Sequence, residues 1–142
     1  MTKDKLTAVP NKDTRWKQRF QNFEKAFLLL ERTLKIKQPS EAEGGGIIQF
    51  YEATFELSWK MLKDYLDEQG FTVTSPREAI KQAFQSDIIE DGHIWIEALE
   101  DRNLTTHTYD EKTAAKVIKR IRENYFPVIN QLYNYMKNII NT

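Results

Sequence analysis

The sequence predicts an all-α protein, an antiparallel up-and-down bundle of about five helices, and three observations carry this. Apolar residues recur at spacings of three and four along three long stretches, which places them on one helical face. No segment alternates apolar and polar residues as a half-buried strand would. The connections between helical stretches are short, which returns successive helices alongside one another. At 142 residues the chain is long enough for one continuous core, and 40% hydrophobic with 30% charged residues is ordinary for a globular domain.

Residues 1–12 lack periodicity and contain Pro10, so they read as a flexible tail ahead of a single bundle domain over 13–142. The first helix is predicted from Asp13. Trp16, Phe20, Phe23, Phe27, Leu30 and Leu34 follow at spacings of four, three, four, three and four, and the helix is expected to stop near Lys37, ahead of Pro39. Pro39 to Gly46, ending in three glycines, is predicted to be a loop. It lacks the lysine and Ser/Thr that follow the glycines of a phosphate-binding P-loop, so it reads as a connection.

A second long helix is predicted from Ile47 to about Gln69, with Tyr51, Phe55, Met61, Leu62 and Leu66 facing inward and Gly70 as its stop. On it, Glu56 precedes Lys60 by one turn, the spacing of a solvated charge pair. Glu52 adjoins the aromatic face and is a candidate supporting residue. Ser75-Pro76-Arg77-Glu78 is a strong helix start, with a serine cap, a proline at the first helical position and a glutamate three after the serine. Ala79, Ile80, Ala83 and Phe84 give that short helix its apolar face. Ile88 and Ile89 are expected to plug the core before a turn at Glu90-Asp91-Gly92. The next helix carries Ile94, Trp95, Ala98, Leu99 and Arg102 and ends near Thr105–Thr106, where Thr108 and Glu111 form a new cap. The last helix runs from Ala114 through Val117, Ile121, Tyr125, Ile129 and Met136 to Ile140, and Pro127 within it is expected to cause a kink.

Composition narrows function. Twenty-one basic against 21 acidic residues leave no net field to recruit nucleic acid, so any such contact needs a local patch. Without cysteine, disulfides and thiolate metal sites are excluded, and a reducing compartment is compatible. The start is polar with no apolar h-region, and no apolar run approaches the ~18 residues of a membrane span. A cytoplasmic protein without membrane contact is expected.

The chemistry concentrates in Leu99-Glu100-Asp101-Arg102-Asn103-Leu104-Thr105-Thr106-His107-Thr108-Tyr109-Asp110. Guanidinium grips phosphate with a planar fork, and imidazole moves protons near neutral pH. Arg102 and His107 could together run metal-independent RNA cleavage, with His107 acting on the ribose 2′-hydroxyl while Arg102 neutralises the phosphate. On one ideal helix five residues turn through about 500°, leaving the two side chains about 140° apart. They meet if the helix ends between them, or if a symmetric dimer brings a second copy of each. In the alternative, Arg102 caps its helix or pairs with Asp101, and His107 is solvated. His93 has no partner pattern, and the two histidines do not have the His-x-x-x-His spacing of a metal site. Lys112, Lys116, Lys119, Arg120 and Arg122 form either a solvated helix face or an RNA-binding one.

The Leu99–Glu111 string resembles the nucleotidyltransferase substrate-binding protein family of the HEPN superfamily. So do Phe50-Tyr51-Glu52-Ala53-Thr54-Phe55-Glu56-Leu57-Ser58-Trp59-Lys60 and Ser75-Pro76-Arg77-Glu78-Ala79-Ile80. The resemblance implies an antiparallel helical bundle, usually a homodimer, encoded beside a minimal nucleotidyltransferase. Related pairs behave as toxin and antitoxin: the helical chain is a ribonuclease, and its partner silences it by adding AMP to a tyrosine. The family motif is an arginine and a histidine separated by four to six residues, the first of them polar. Arg102, Asn103 and His107 match it, and the modified tyrosine, two after the histidine, corresponds to Tyr109. This chain lacks the transferase machinery, because Ile47 follows the glycines where a Gly-Ser turn needs serine, and no Asp-x-Asp pair occurs. It therefore needs no cofactor of its own, and ATP and Mg²⁺ belong to the partner. The sequence reading is of a binding or regulatory subunit for a nucleotidyltransferase, with Tyr109 as AMP acceptor. Its alternatives are a metal-independent endoribonuclease toxin using Arg102, Asn103 and His107, and a non-catalytic helical interaction module.

Overall fold

Trp16, Phe20, Phe23, Phe27 and Leu30 line one face of α1 (Lys12–Thr33), and all five are buried as their spacing predicts. The computed structural model describes residues 12–105 and 111–142, and every regular element among them is helical. After α1 come α2 (Glu41–Glu68), α3 (Pro76–Gln85), α4 (Gly92–Thr105) and a last rod made of α5 (Glu111–Arg120), a π-helical turn (Ile121–Tyr125) and α6 (Phe126–Ile140). Among the described residues no helix is long and apolar enough to cross a membrane.

Contacts at opposite ends set the helix directions. Arg19, early in α1, pairs with Asp64, late in α2, and Trp16 meets Tyr65 edge-on at 5.0 Å, so these two helices are antiparallel. Phe20 stacks on Tyr133 at 5.8 Å and Phe27 on Phe126 at 5.2 Å, so α1 is antiparallel to α6 as well. One core results, running from Trp16 to Met136.

The predicted loop over Pro39–Gly46 is a correction. The structure starts α2 at Glu41, with Ser40 as its cap. The Glu43 N–H donates to Ser40 Oγ at 3.1 Å, and the Ser40 N–H donates to Glu43 Oε1 at 2.9 Å, a reciprocal capping box. That box, together with packing, overrides the low helix propensity of three glycines. Gly44 is buried, and a Cβ there would lie 3.2 Å from Ile118 Cδ1, so the bare backbone lets the last rod approach. Gly45 and Gly46 have open space where a Cβ would sit. Gly45→Ala and Gly46→Ala are each expected to stabilise the fold by about 0.5–1 kcal/mol through reduced backbone entropy of the unfolded chain. Thermal unfolding of the two variants checks this, and a lowered midpoint in both would contradict it.

The first helix also ends earlier than expected, at Thr33. Arg122 Nη2 reaches the carbonyls of Leu34 and Ile36 at 3.1 and 3.0 Å, supplying donors to a helix end that has run out of its own. Gly70 does terminate α2, with φ +98°. Ser75 caps α3 by accepting from the Glu78 N–H at 3.2 Å. Ile88 and Ile89 are both buried, forming the expected plug. Phe84 departs from expectation: it is half exposed, because Ala79, Ile80 and Ala83 alone make the buried face of α3. Its ring covers Gly92, where a Cβ would be only 3.1 Å from Phe84 Cδ1.

The interruption expected at Pro127 takes the form of the π-helical turn just before it. The Phe126 N–H bonds to the Ile121 carbonyl, five residues back. Pro127 has no N–H and its ring crowds the carbonyl four residues earlier, so a wider turn relieves the ladder there. The π turn leaves Ile121 and Tyr125 both buried. Tyr125 thereby stacks on Tyr51 of α2 at 5.7 Å.

Candidate functional site

Contacts through Ala98, Asp101 and Arg102 fix the last part of α4. Tyr51, buried on α2, donates to the Ala98 carbonyl at 2.7 Å, one turn before Arg102. Asp101, only 8% exposed, accepts from the Tyr125 hydroxyl at 2.5 Å and from Arg120 Nε at 2.6 Å. Arg102 Nη1 donates to Glu56 of α2, and its guanidinium lies over the Phe55 ring, 5.8 Å from the centroid. Consecutive residues on a helix point about 100° apart. Asp101 therefore binds the last rod while Arg102 crosses to α2. The π turn belongs to this arrangement, since it carries the tyrosine that reaches Asp101.

Arg102 reaches sideways onto Glu56 of α2, while the Asp101 carboxylate accepts from Tyr125 and Arg120. Glu56 does form the expected pair with Lys60, at 3.3 Å, but its link to Arg102 across 46 residues had no signal in local spacing. Glu52, proposed as a supporting residue, lies one turn before Glu56 and lines a groove of about 1140 Å³ between the start of α2 and α5. The groove is lined by small residues (Gly44, Gly45, Ala115) together with Lys37 and Lys119, and Arg102 is not among its lining residues. His107 and Tyr109 lie outside the described residues, as does the side chain of Asn103. His93 is exposed.

The basic stripe after Tyr109 is partly committed to the fold. Arg120 holds Asp101 and Arg122 holds the end of α1, so these two cations serve structure.

The two tyrosines around Asp101 have raised pKa values. Burial is the main cause for Tyr125, followed by its hydrogen bond to the Asp101 carboxylate. Burial again dominates for Tyr51, helped by nearby Tyr125 and Asp101. In the unfolded chain these phenols ionise near pH 10. Their contribution to stability is therefore complete below about pH 10 and is lost as pH rises toward their folded-state values. In an absorbance titration at 295 nm, Tyr51 and Tyr125 are expected to stay protonated until the protein unfolds. Reversible ionisation of all six tyrosines near pH 10 in the folded protein would contradict this.

Residues 18–138 match the family described as nucleotidyltransferase substrate binding protein like. The chain is 31% identical over 81 residues to the probable ribonuclease HepT of Haemophilus influenzae; the match covers 54% of this chain and 56% of that protein, so the chain spans little more than half the length of that relative. A crystal structure from Thermus thermophilus superimposes with a TM-score of 0.74 at 32% identity, covering 79% of this chain and 96% of that one. A second structure, from Haemophilus influenzae, superimposes with a TM-score of 0.61 at 24% identity, covering 89% and 99%. It is described as revealing the fold of a substrate binding domain of a nucleotidyltransferase, and at that identity the likeness concerns the fold alone. The family match extends from α1 almost to the end of α6, and on that ground the chain belongs to the nucleotidyltransferase substrate binding protein family.

Proposed function

We propose that this chain is the helical subunit of a two-part system, associating with a minimal nucleotidyltransferase encoded nearby and acting in the cytoplasm. The observation that carries the reading is the family match across residues 18–138, which takes in nearly all of the helical bundle. In this account Tyr109 is the acceptor of the transferred group. Its phenol oxygen attacks the α-phosphorus of ATP on the partner, pyrophosphate leaves with its electron pair, and the phenolic proton passes to a base or to water. ATP and Mg²⁺ are held by the nucleotidyltransferase. Purified chain and nucleotidyltransferase are expected to elute together as one species in size exclusion with light scattering. Two separate peaks at micromolar concentration would sink the pairing.

A second reading is favoured by the setting of Arg102 and by the ribonuclease name of a relative. Arg102 is a partly exposed guanidinium held in a defined place by Glu56 and Phe55, as a phosphate clamp requires. In this reading His107 removes the proton from a ribose 2′-hydroxyl, and the oxygen attacks the adjacent phosphorus. The 5′-oxygen leaves and takes up a proton, giving a 2′,3′-cyclic phosphate. Arg102 offsets charge on the phosphorane and Asn103 assists. A homodimer would bring Arg102 of one copy toward His107 of the other. The two readings are compatible, since modification at Tyr109, two residues from His107, would block RNA there. RNA cleavage in EDTA, lost in His107→Ala, tests the second. Absence of cleavage by the unmodified wild type would sink the second reading.

A further inference from the structure

Glu56 stands between two cations. One carboxylate oxygen accepts from Arg102 Nη1, and the other lies 3.3 Å from Lys60 Nζ. All three groups are partly open to water, with Arg102 21%, Glu56 37% and Lys60 41% exposed. The Phe55 ring closes one side of the guanidinium, which limits where an anion can approach it. A carboxylate bridging a guanidinium and an ammonium occupies the place that two oxygens of a phosphate group would take. Ion pairs this exposed are weak, so a ligand that offers the same two oxygens and more charge can displace the resident one.

We propose that Arg102 and Lys60 form an oxyanion subsite for a single phosphate group, in which Glu56 is the resident anion that leaves when the phosphate enters. This rests on the phosphate-handling role of Arg102 above and adds two residues to it. Lys60 is the second cation, placed one helical turn from Glu56 so that both act on the same anion. Glu56 sets affinity by competition: it keeps Arg102 aligned on α2 while the site is empty and lowers the affinity for weak anions. The phosphate could come from an RNA strand or from a mononucleotide, and the test separates these sources.

The probes are a 2′-O-methyl oligoribonucleotide, which cannot be cleaved at a 2′-hydroxyl, together with AMP and inorganic phosphate. Binding is followed by calorimetry on wild type, Glu56→Gln and Lys60→Gln, with thermal unfolding of each as a control. Glu56→Gln is expected to bind the oligonucleotide about three- to tenfold more tightly, the scale of one exposed charge interaction. Lys60→Gln, a substitution of a half-exposed side chain, is expected to bind about three- to tenfold more weakly and to lower the salt slope by about 0.7, the value for one single-strand phosphate contact. Tight AMP with no oligonucleotide binding, and the same response to the two substitutions, would assign the subsite to a nucleotide. Unchanged or weaker binding by a folded Glu56→Gln, or no effect of Lys60→Gln on affinity and slope, would overturn the proposal. So would failure of all three probes to bind wild type. Cleavage of ordinary RNA that depends on His107, found together with binding indifferent to Glu56 and Lys60, would reject the subsite while leaving the ribonuclease reading intact.

Discussion

On the ribonuclease reading, Arg102→Ala is expected to lower metal-independent RNA cleavage by at least about a hundredfold, the usual effect of removing one preorganised donor from a developing charge. The loss should fall on the rate more than on the fold. Arg102 and Glu56 are both partly solvated, so breaking their pair costs about 1 kcal/mol or less after screening. Arg102→Lys keeps the charge but not the planar fork over Phe55, and is expected to recover only a minor part of the rate. A quenched fluorescent oligoribonucleotide in EDTA measures all three proteins. Cleavage by Arg102→Ala at the wild-type rate would remove Arg102 from the chemistry.

The second large effect belongs to Asp101 and falls on stability. Its carboxylate serves two donors from two parts of the last rod, and only one of them can turn to water. Arg120 is 41% exposed and can be resolvated, whereas Tyr125 is 2% exposed and cannot. Asp101→Ala is therefore expected to cost about 2–4 kcal/mol, combining an unsatisfied buried hydroxyl with a small cavity and a weakened ion pair. Asp101→Asn keeps an acceptor for Tyr125 and should cost less. Urea unfolding measures the difference. A loss below about 1 kcal/mol for Asp101→Ala would mean that Tyr125 finds another acceptor and that the clasp does not anchor α4. Because Asp101 is the neighbour of Arg102, loss of the clasp is also expected to blur the position from which Arg102 acts.

The parts of the fold that the sequence made legible were those governed by local periodicity. The aromatic stripe of α1, the Ser75 cap, the plug at Ile88 and Ile89 and the αL stop at Gly70 are each specified within a few residues. The glycine run misled for a physical reason: its helical state depends on Ser40 and Glu43 before it and on Ile118, far along the chain, which comes to within contact of Gly44. The Ser40-x-x-Glu43 box was present in the sequence and could have flagged the earlier start. At Pro127 a disturbance was predictable, but not that it would appear as a π turn placing Tyr125 against Asp101.

The candidate site divides in the same way. The segment holding Arg102 stood out by residue type, yet its settled partner, Glu56, looked like half of an ordinary i,i+4 pair. Likewise Arg120 and Arg122 looked like members of a basic stripe until distant acceptors claimed them. Long-range pairing of charges has no sequence period, and only the folded geometry reveals it. His107 and Tyr109 lie outside the described residues, as does the side chain of Asn103.

The most direct measurement is the intact mass of wild-type and Tyr109→Phe protein after incubation with the proposed nucleotidyltransferase partner, ATP and Mg²⁺. The account predicts a gain of one or more AMP units in wild type and none in Tyr109→Phe. An equal gain in both proteins, or no gain in either while the two chains associate, would contradict Tyr109 as the acceptor.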